Sequence, residues 1–384
     1  MTMKSRLPDV GTNIFTVMSA MAAECGAVNL GQGFPDFDPD PLLLDEVNAA
    51  MRAGFNQYAP LNGMAVLRQA LSTKLYGLYG RLYDPDTEIM VTAGATQAIF
   101  TAIMAFTQPG DDVLIIEPAF DSYLPGIALA GCTPICVPMG SDYRVDWARV
   151  EAAITPKTRI VIVNSPHNPS GLILRDADMK ALEAIVLKHG VWVISDEVYE
   201  HMVFDQESHQ SVARYPGLAD RSIMVSSFGK TFHVTGWKMG YVAAPHHMMS
   251  EYRKVHQFNV FVANSAVQVG LANYMSVPER YLQLVNFYQQ KRDFFRQGLA
   301  QTSFQLYPCE GTFFQMAGYA NIPQLADKNE REVCEWLTRQ IGVAAIPLSS
   351  FYHKPSENKT IRFCFAKREE TLRRGLERLS RLAL

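Results

Sequence analysis

The sequence predicts an α/β protein in which a mostly parallel sheet is flanked by helices and joined to a smaller α+β domain. From about Asp45, short apolar runs with the length of buried strands alternate with helical segments, the pattern of a sheet covered on both faces. In the C-terminal part of the chain the pattern changes to a long amphipathic helix and scattered short strands.

The first forty residues contain an apolar helical pattern from Ile14 to Ala22 and a turn-rich stretch from Leu30 to Asp36. We expect this N-terminal arm to pack against another part of the protein. Buried strands are predicted at Ile89–Thr92, Asp112–Ile116, Arg159–Asn164, Val191–Ser195, Ile223–Ser226 and Tyr241–Ala244. A helix is predicted at Ala95–Phe106, directly after the first strand.

The C-terminal elements are predicted as a helix at about Tyr281–Leu299, strands near Phe304, Phe313 and Ile361, and helices near Glu330 and Thr371. We therefore expect three parts. These are an arm of residues 1–40 that joins the small domain, a large domain of residues 41–280 and a small C-terminal domain of residues 281–384.

Composition argues against several classes of function. The 384 residues are 48% hydrophobic, and a net charge of −3 provides no basic surface for nucleic acid or an anionic membrane. The N-terminus lacks the apolar core of a signal peptide, and no apolar run approaches the length of a membrane span. The six cysteines lack zinc-ligand spacing, so we expect free thiols, no metal site and a cytoplasmic location.

In open α/β sheets, ligands bind beyond the carboxyl ends of the strands. Gly94, Ala95 and Thr96 follow the first predicted strand and begin a helix, whose free N–H groups suit an anion such as phosphate. Phe120 and Tyr123 follow the second strand. Phe120 is placed to stack on a flat ring, although taken alone a core or lid aromatic is the simpler interpretation.

Polar side chains follow the next three strands along the sequence. Asn168 stands between two prolines, which hold its amide in one orientation. Asp196 either caps the next helix or holds a cationic ring nitrogen, and Tyr199 lies three residues on, on the same side of a helical turn. Lys230 follows Ser227, and by itself it fits a surface lysine in a loop.

Together these residues meet the separate requirements of pyridoxal 5′-phosphate (PLP). The cofactor needs a lysine for a Schiff base, an acid that keeps the pyridine nitrogen protonated, and donors for O3′ and the phosphate. The combination is far more specific than any one member, so the sequence predicts a PLP site at the carboxyl edge of the sheet.

Three motifs resemble those of the class I aminotransferases, which are PLP enzymes of fold type I. They are NSPHNPSG, SDEVYEHM and SSFGKT followed by GWKMGY, and they occur in the family's order. The similarity covers essentially the whole chain and is greatest to the kynurenine, glutamine and methionine aminotransferase branch. It implies the PLP-dependent transferase fold, with the cofactor bound in the large domain.

The resemblance implies roles residue by residue. Lys230 is the Schiff-base lysine and proton shuttle, Asp196 is the partner of the pyridinium nitrogen, Asn168 and Tyr199 are partners of O3′, and Phe120 stacks on the ring. The phosphate contacts are Gly94, Ala95, Thr96, Ser227 and Lys238. Many family members carry arginine at the position of Lys238, so here a point charge replaces a planar fork.

Substrate contacts follow from the same resemblance. Arg362, in TIRFCF, matches the arginine that grips the α-carboxylate, a task suited to its planar fork. Gly33 matches a backbone N–H that meets the same carboxylate, and Asn168 also borders the substrate. Phe15 lies where this branch places an aromatic ring against the substrate side chain, and Tyr123 is expected to line the same pocket.

Tyr58 matches a tyrosine that reaches the phosphate of the neighbouring subunit, which implies a homodimer with shared active sites. The candidate pocket residues Phe15, Tyr58, Tyr123, Phe258 and Phe261 are aromatic, and no second arginine is evident for a distal carboxylate. This composition favours methionine, aromatic amino acids or glutamine over aspartate as substrates.

The predicted activity is a ping-pong transamination between an amino acid and a 2-oxo acid. Two alternatives remain open on these residues. A PLP-dependent cysteine-conjugate or cystathionine β-lyase would use the same cofactor contacts without an acceptor oxo acid. A non-catalytic PLP-binding regulatory module would need a DNA-binding segment. The stretch before Gly31 is too short for such a segment, and the net charge of the chain is not basic.

Overall fold

The computed structural model describes residues 3–8, 10–354 and 356–382. The α-helices are α1 (Ile14–Glu24), α2 (Pro41–Arg52), α3 (Ala65–Tyr79), α4 (Ala95–Phe106), α5 (Tyr123–Leu129), α6 (Trp147–Ala152), α7 (Asp176–His189), α8 (Pro216–Ala219), α9 (Phe228–Thr231), α10 (His246–Asn259), α11 (Ser265–Met275), α12 (Glu279–Leu282), α13 (Leu284–Leu299), α14 (Glu330–Trp336) and α15 (Glu369–Leu379). The β-strands are β1 (Val28–Asn29), β2 (Ile89–Thr92), β3 (Asp112–Glu117), β4 (Thr133–Pro138), β5 (Thr158–Asn164), β6 (Trp192–Asp196), β7 (Ser222–Ser227), β8 (Gly240–Ala243), β9 (Gln305–Leu306), β10 (Phe314–Gly318), β11 (Val343–Ala344), β12 (Ile346–Pro347) and β13 (Thr360–Cys364).

A seven-stranded sheet has the strand order β2-β8-β7-β6-β5-β3-β4. Strands β4, β3, β5, β6 and β7 pair in parallel, whereas β8 is antiparallel to both of its neighbours. The predicted mostly parallel sheet is therefore confirmed. Strand β4 was missed by the sequence analysis, because only one of the six residues of this edge strand is fully buried and two are prolines, so it lacks a buried apolar run.

Helices cover both faces of this sheet, because successive residues of its buried strands point to opposite sides. In β3, Val113 and Ile115 join the core beneath α4 and α10, whereas Leu114 and Ile116 join the core on the other face. All six residues of β3 are buried, which is the run expected of a central parallel strand. Among the described residues, no helix is both long enough and apolar enough to cross a membrane.

A second, antiparallel sheet is formed near the C-terminus, with the strand order β12-β13-β10-β9. The N-terminal segment lies against this part of the chain, because β1 pairs in parallel with β11, with Val28 opposite Val343. Strand β13 carries Arg362 in the centre of this sheet, where the residue is almost completely buried.

A buried ion pair connects α3 to the first sheet. Lys74 Nζ lies 2.7 Å from Glu200 Oε1, which also accepts hydrogen bonds from Tyr241 Oη at 2.7 Å and Ser226 Oγ at 2.5 Å. Tyr79 Oη donates to Glu200 Oε2 at 2.5 Å. Burial disfavours the carboxylate, but the charge of Lys74 and these hydrogen bonds outweigh it and hold the pKa of Glu200 well below its usual range.

We predict that Lys74→Met destabilises the protein by about 3 to 5 kcal/mol, because the Glu200 carboxylate then stays buried without a cation. Urea unfolding followed by circular dichroism measures this change. The double variant Lys74→Met with Glu200→Gln removes the unpaired charge and recovers most of the loss. Lys254→Met is the matched control, because the exposed pair of Lys254 with Glu251 is worth less than about 1 kcal/mol. Equal losses for the two single variants would contradict the prediction.

Candidate active site

A cavity of ≈ 240 Å³ lies at the carboxyl ends of the first sheet's parallel strands. The predicted site residues that line it are Phe15, Gly33, Gly94, Ala95, Thr96, Phe120, Asn168, Asp196, Tyr199, Ser227, Lys230, Lys238 and Arg362. They come from the N-terminal segment, from the ends of strands of the first sheet and the segments that follow them, and from β13 of the second sheet. The fold thus gathers residues that are up to 347 positions apart in the sequence.

One end of the cavity is suited to an anion. Gly94, with a φ of +82°, turns the chain from β2 into α4, so the first N–H groups of that helix, including those of Ala95 and Thr96, have no partner within the helix. Lys238 lies close by, since a Cβ built on Gly94 would stand 3.6 Å from its Nζ. Gly240 permits this approach of β8 to α4, because a Cβ there would meet Ala95 N at 3.1 Å.

An acid ends β6 at the base of the cavity. Asp196 Oδ2 accepts a hydrogen bond from Tyr123 Oη at 2.6 Å, and Oδ1 accepts one from the Val198 N–H at 3.3 Å. Burial raises the pKa of Asp196 to about 6, although both hydrogen bonds oppose this shift. Above that pH the side chain is a buried carboxylate, which is suited to a cationic N–H.

The amide of Asn168 is oriented by two neighbours. Arg362 Nη1 donates to Asn168 Oδ1 at 2.6 Å, and Asn164 Oδ1 accepts from the Asn168 backbone N–H at 2.8 Å. Because its oxygen is engaged by Arg362, Asn168 presents its Nδ2 as a donor. Asn164 also ties this loop to β6, donating from Nδ2 to the Asp196 carbonyl at 2.8 Å. The peptide bonds Ser165–Pro166 and Asn168–Pro169 in this loop are both cis.

Arg362 is surrounded by aromatic rings. Its guanidinium carbon lies 3.8 Å from the centre of the Phe314 ring, 4.8 Å from that of Phe351 and 5.2 Å from that of Phe15. Burial lowers the pKa of Arg362 to about 10, so the group remains a cation at neutral pH. Its Nε is buried and has no hydrogen-bond partner among the described residues. An incoming carboxylate would satisfy such a group.

Lys230 lies in α9, directly after β7. Its Nζ donates to the Gly33 carbonyl at 2.8 Å and lies 5.8 Å from the centre of the Tyr199 ring. Burial, helped by the positive charges of Arg362 and Lys238, lowers the pKa of Lys230 from 10.5 to about 8. A minor but useful fraction of this amine is neutral near physiological pH, far more than for an ordinary lysine, as a nucleophile or a base requires.

Four residues expected at the pocket lie elsewhere. Tyr123 is not among the residues that line this cavity; it is buried, and its hydroxyl donates to the Asp196 carboxylate. Tyr58, Phe258 and Phe261 are outside the cavity of their own chain, and Tyr58 is 82% exposed. The expectation for Tyr123 is therefore corrected from wall residue to partner of the acid.

Sequence reasoning missed three residues that shape the site. Asn164 was placed at the end of a strand without a role, although an amide at that edge is the same signal that marked Asn168. Phe314 and Phe351 pack against Arg362, but both occur in runs of apolar residues that resemble ordinary core. Pairing between β10 and β13 places Phe314 beside Arg362, and that pairing is not visible in the sequence.

The residues present fit PLP. The helix N-terminus with Ser227 and Lys238 suits a phosphate, and the Asp196 carboxylate suits a pyridinium N–H. Lys230 supplies an amine that loses its proton more easily than an ordinary lysine, and Arg362 offers an unsatisfied N–H for a carboxylate. The charges of the cavity also fit. The described lining residues include three basic side chains and one acid, and this excess of positive charge favours bound groups that are anionic, such as a phosphate and a carboxylate.

Comparison with known proteins agrees with this chemistry. The family described as aminotransferase class I and II matches residues 26–379 of the chain. A methionine aminotransferase of Escherichia coli (strain K12) is 46% identical over 381 residues, which cover 99% of this chain and 98% of that protein. Kynurenine–oxoglutarate transaminase 1 of Rattus norvegicus is 33% identical over 407 residues, with coverage of 97% and 96%.

The fold agrees as well. A crystal structure of YbdL from Escherichia coli, reported to identify a methionine aminotransferase function, matches with a TM-score of 0.97 and 45% identity, covering 100% of both chains. The predicted fold type I and the resemblance stated above are thereby confirmed. The chain therefore belongs to the class I and II aminotransferase family and is a PLP-dependent aminotransferase.

Proposed function

We propose that the protein exchanges the amino group between an amino acid and a 2-oxo acid in a ping-pong cycle, with methionine, aromatic amino acids or glutamine favoured as donors. The observation that carries this proposal is the buried Arg362, which offers an N–H without a partner among the described residues beside the rings of Phe15 and Phe314. A substrate whose α-carboxylate meets Arg362 would place its side chain beside aromatic surface, which suits a thioether or a ring.

The chain's residues are proposed to hold the cofactor as follows. Gly94, Ala95, Thr96, Ser227 and Lys238 hold the phosphate, Asp196 pairs with the ring nitrogen, Asn168 and Tyr199 donate to O3′, Phe120 stacks on the ring, and Lys230 is the covalent attachment point. When bound, PLP supplies an electron sink that lets the substrate Cα–H bond break. Asp196 accepts the ring N–H, and Tyr123 and Val198 keep that carboxylate oriented.

Lys230 is proposed to move the proton. With its pKa lowered to about 8 by burial, the free amine accepts the substrate Cα proton and delivers it to the carbon on the other side of the transferred nitrogen, as the cycle requires. The Gly33 carbonyl, 2.8 Å from Nζ, gives the amine a fixed partner when it is not engaged elsewhere. Arg362 and the Gly33 backbone N–H hold the substrate carboxylate meanwhile.

We predict that PLP binds covalently to the cofactor-free protein at a rate that rises with pH, with a midpoint near pH 8. The reason is that only the neutral amine of Lys230 attacks, and burial lowers its pKa from 10.5 to about 8. Stopped-flow absorbance of the bound cofactor measures this rate. Lys230→Ala should show neither the covalent absorbance band nor transamination. A midpoint near 10.5, or an active Lys230→Ala variant, would refute the assignment.

We predict that a panel of amino donors assayed with one 2-oxo acid will rank methionine and aromatic amino acids above aspartate. The physical reason is the aromatic surface beside Arg362, where a second carboxylate finds no cation among the described lining residues other than Lys230 and Lys238, which are assigned to the cofactor. Initial rates of oxo-acid formation provide the measurement. A clear preference for aspartate would contradict this interpretation of the pocket.

The β-lyase alternative makes a different prediction for the same assay. A lyase would release pyruvate and ammonia from a cysteine conjugate with no acceptor, whereas a transaminase stops after one turnover until an oxo acid is added. The relatives compared above are all aminotransferases, so they do not favour the lyase.

The predicted division into residues 1–40, 41–280 and 281–384 is also proposed. Its support is that strands β2 to β8 lie within the second range, and that β9, β10, β12 and β13 lie within the third. Phe15 and Gly33 of the first range meet Arg362 of the third at the cavity. The cofactor would then be held mainly by the large domain, with the substrate clamped where the three parts meet.

We further propose a cytoplasmic homodimer with shared active sites. The six cysteines are all free, as a reducing compartment allows. Tyr58 and Phe261 form an edge-to-face pair at 5.3 Å on the surface, and Phe258, three residues before Phe261 in the sequence, is 87% exposed. An exposed aromatic patch of this kind is typical of a subunit interface. A second copy seated there would bring Tyr58 toward the partner's phosphate site.

We predict that mixing Lys230→Ala subunits with Tyr58→Ala subunits restores activity to about a quarter of wild type. Random exchange makes half of the dimers hybrid, and each hybrid has one intact site of two if Tyr58 acts across the interface. The assay is run at a PLP concentration that does not saturate the Tyr58→Ala dimer. Lys230→Ala mixed with Lys238→Ala is the matched control, because both residues line one chain's cavity and no site is restored. Activity equal to the parental sum would contradict a shared site.

A further inference from the structure

The side chain of Asn13 makes two contacts at the start of α1. Its Oδ1 caps the helix by accepting the Phe15 N–H at 2.8 Å. Its Nδ2 donates to the carboxylate Oδ2 of Asp121, which lies 108 residues further along the chain. Capping alone does not need the second contact, because serine or aspartate caps a helix equally well through an oxygen.

Phe15, in the first turn of α1, is held on several sides. Its N–H is bound by Asn13 and its carbonyl accepts from Gln32 Nε2 at 3.4 Å. Its ring meets Phe351 edge to face at 5.9 Å and lies 5.2 Å from the Arg362 guanidinium carbon. The position of the first turn of α1 therefore sets where this ring stands relative to the carboxylate clamp.

Asp121 belongs to the loop that follows β3. The preceding residue, Phe120, lines the same cavity as Phe15. The hydrogen bond from Asn13 to Asp121 thus joins the loop that carries Phe120, the ring proposed to stack on the cofactor, to the helix that carries Phe15, the ring proposed to face the substrate side chain. Partial burial raises the pKa of Asp121, and the Asn13 hydrogen bond and the charge of Arg362 oppose this rise. A carboxylate in such a place is stabilised by a donor, and Asn13 supplies one.

We propose that Asp121 is a positioning residue for substrate specificity, which acts through Asn13 to fix the position of Phe15 relative to Arg362 and so the space left for the substrate side chain. The proposal rests on the proposed function in one respect, namely that Phe15 faces the substrate side chain. Asp121 touches neither substrate nor cofactor in this account. It selects among amino acids by holding the wall against which a long or aromatic side chain packs.

The test compares methionine with alanine, whose side chain is too short to reach Phe15. In half-reactions followed by cofactor absorbance, Asp121→Ala and Asn13→Asp each raise the KM for methionine about fivefold, the effect of losing one charge-assisted hydrogen bond that is partly open to water. Asn13→Asp keeps the helix cap but sets two carboxylates against each other. The KM for alanine and the kcat for both substrates change by less than about twofold.

The reciprocal variant, Asn13→Asp with Asp121→Asn, exchanges donor and acceptor and returns the KM for methionine to within about twofold of wild type. A general loosening of the protein would raise the KM for alanine in parallel and would not be rescued, and either result would overturn the proposal. Silent single variants would overturn it as well.

Phe15→Ala separates this proposal from the one on which it rests. If Phe15→Ala raises the KM for methionine and the Asp121 and Asn13 variants do not, only the positioning role fails. If Phe15→Ala leaves the KM for methionine unchanged, the proposed pocket itself is wrong, whatever the other variants show.

Discussion

The base of the site depends on a set of buried hydrogen bonds to the carboxylate of Glu200. This carboxylate accepts hydrogen bonds from Lys74 on α3, Tyr241 on β8 and Ser226 on β7 through one oxygen, and from Tyr79 through the other. Glu200 lies in the turn after β6, and this turn and the two strands each carry a residue that shapes the site one position away. Tyr199 precedes Glu200, Ser227 follows Ser226, and Gly240 precedes Tyr241 and lets β8 approach the start of α4. A buried charge with its hydrogen bonds satisfied tolerates few alternative arrangements, so the relative positions of these segments are set together.

The electrostatics of the cavity follow from placing cations where water is scarce. Lys230, Lys238 and Arg362 share one cavity with the single acid Asp196 among the described lining residues. Burial lowers the pKa values of Lys230 and Arg362 and raises that of Asp196, and the like charges lower that of Lys230 further. Such an arrangement costs stability in the absence of anions. It is the same arrangement that prepares Lys230 to act as a neutral amine and Arg362 to receive a carboxylate.

The substrate end of the site is assembled from distant parts of the chain. Arg362 comes from the middle of β13, Phe314 from the neighbouring β10, and Phe15 from the first turn of α1. Pairing of β1 with β11 lays the N-terminal segment against the C-terminal strands, and the contact of Asn13 with Asp121 ties it to the first sheet. The two sheets are joined at the site by the hydrogen bond from Arg362 to Asn168.

Much of the fold and most of the candidate site were predictable from the sequence, because short stretches of sequence indicate both the buried strands and the polar residues that follow them. The apolar runs identified six of the seven strands of the first sheet, and the residues directly after them include Lys230, Asp196 and Asn168. The edge strand β4 was not predicted, since it is only partly buried and contains two prolines. The resemblance to a known family added Arg362, Phe15 and Gly33, which no local pattern distinguished from surface or core residues.

What only the tertiary structure decided are the contacts between segments far apart in the sequence. The structure shows that Tyr123 donates a hydrogen bond to Asp196 and does not line the pocket. It also places Phe314 and Phe351 around Arg362, and it shows that Lys74 and Glu200 form a buried ion pair. The physical reason is that the type of residue at a strand end depends on the chemistry required there, whereas its partner depends on strand order and packing. The sequence by itself therefore determined which residues carry the chemistry, and the folded chain decided what holds each of them in place.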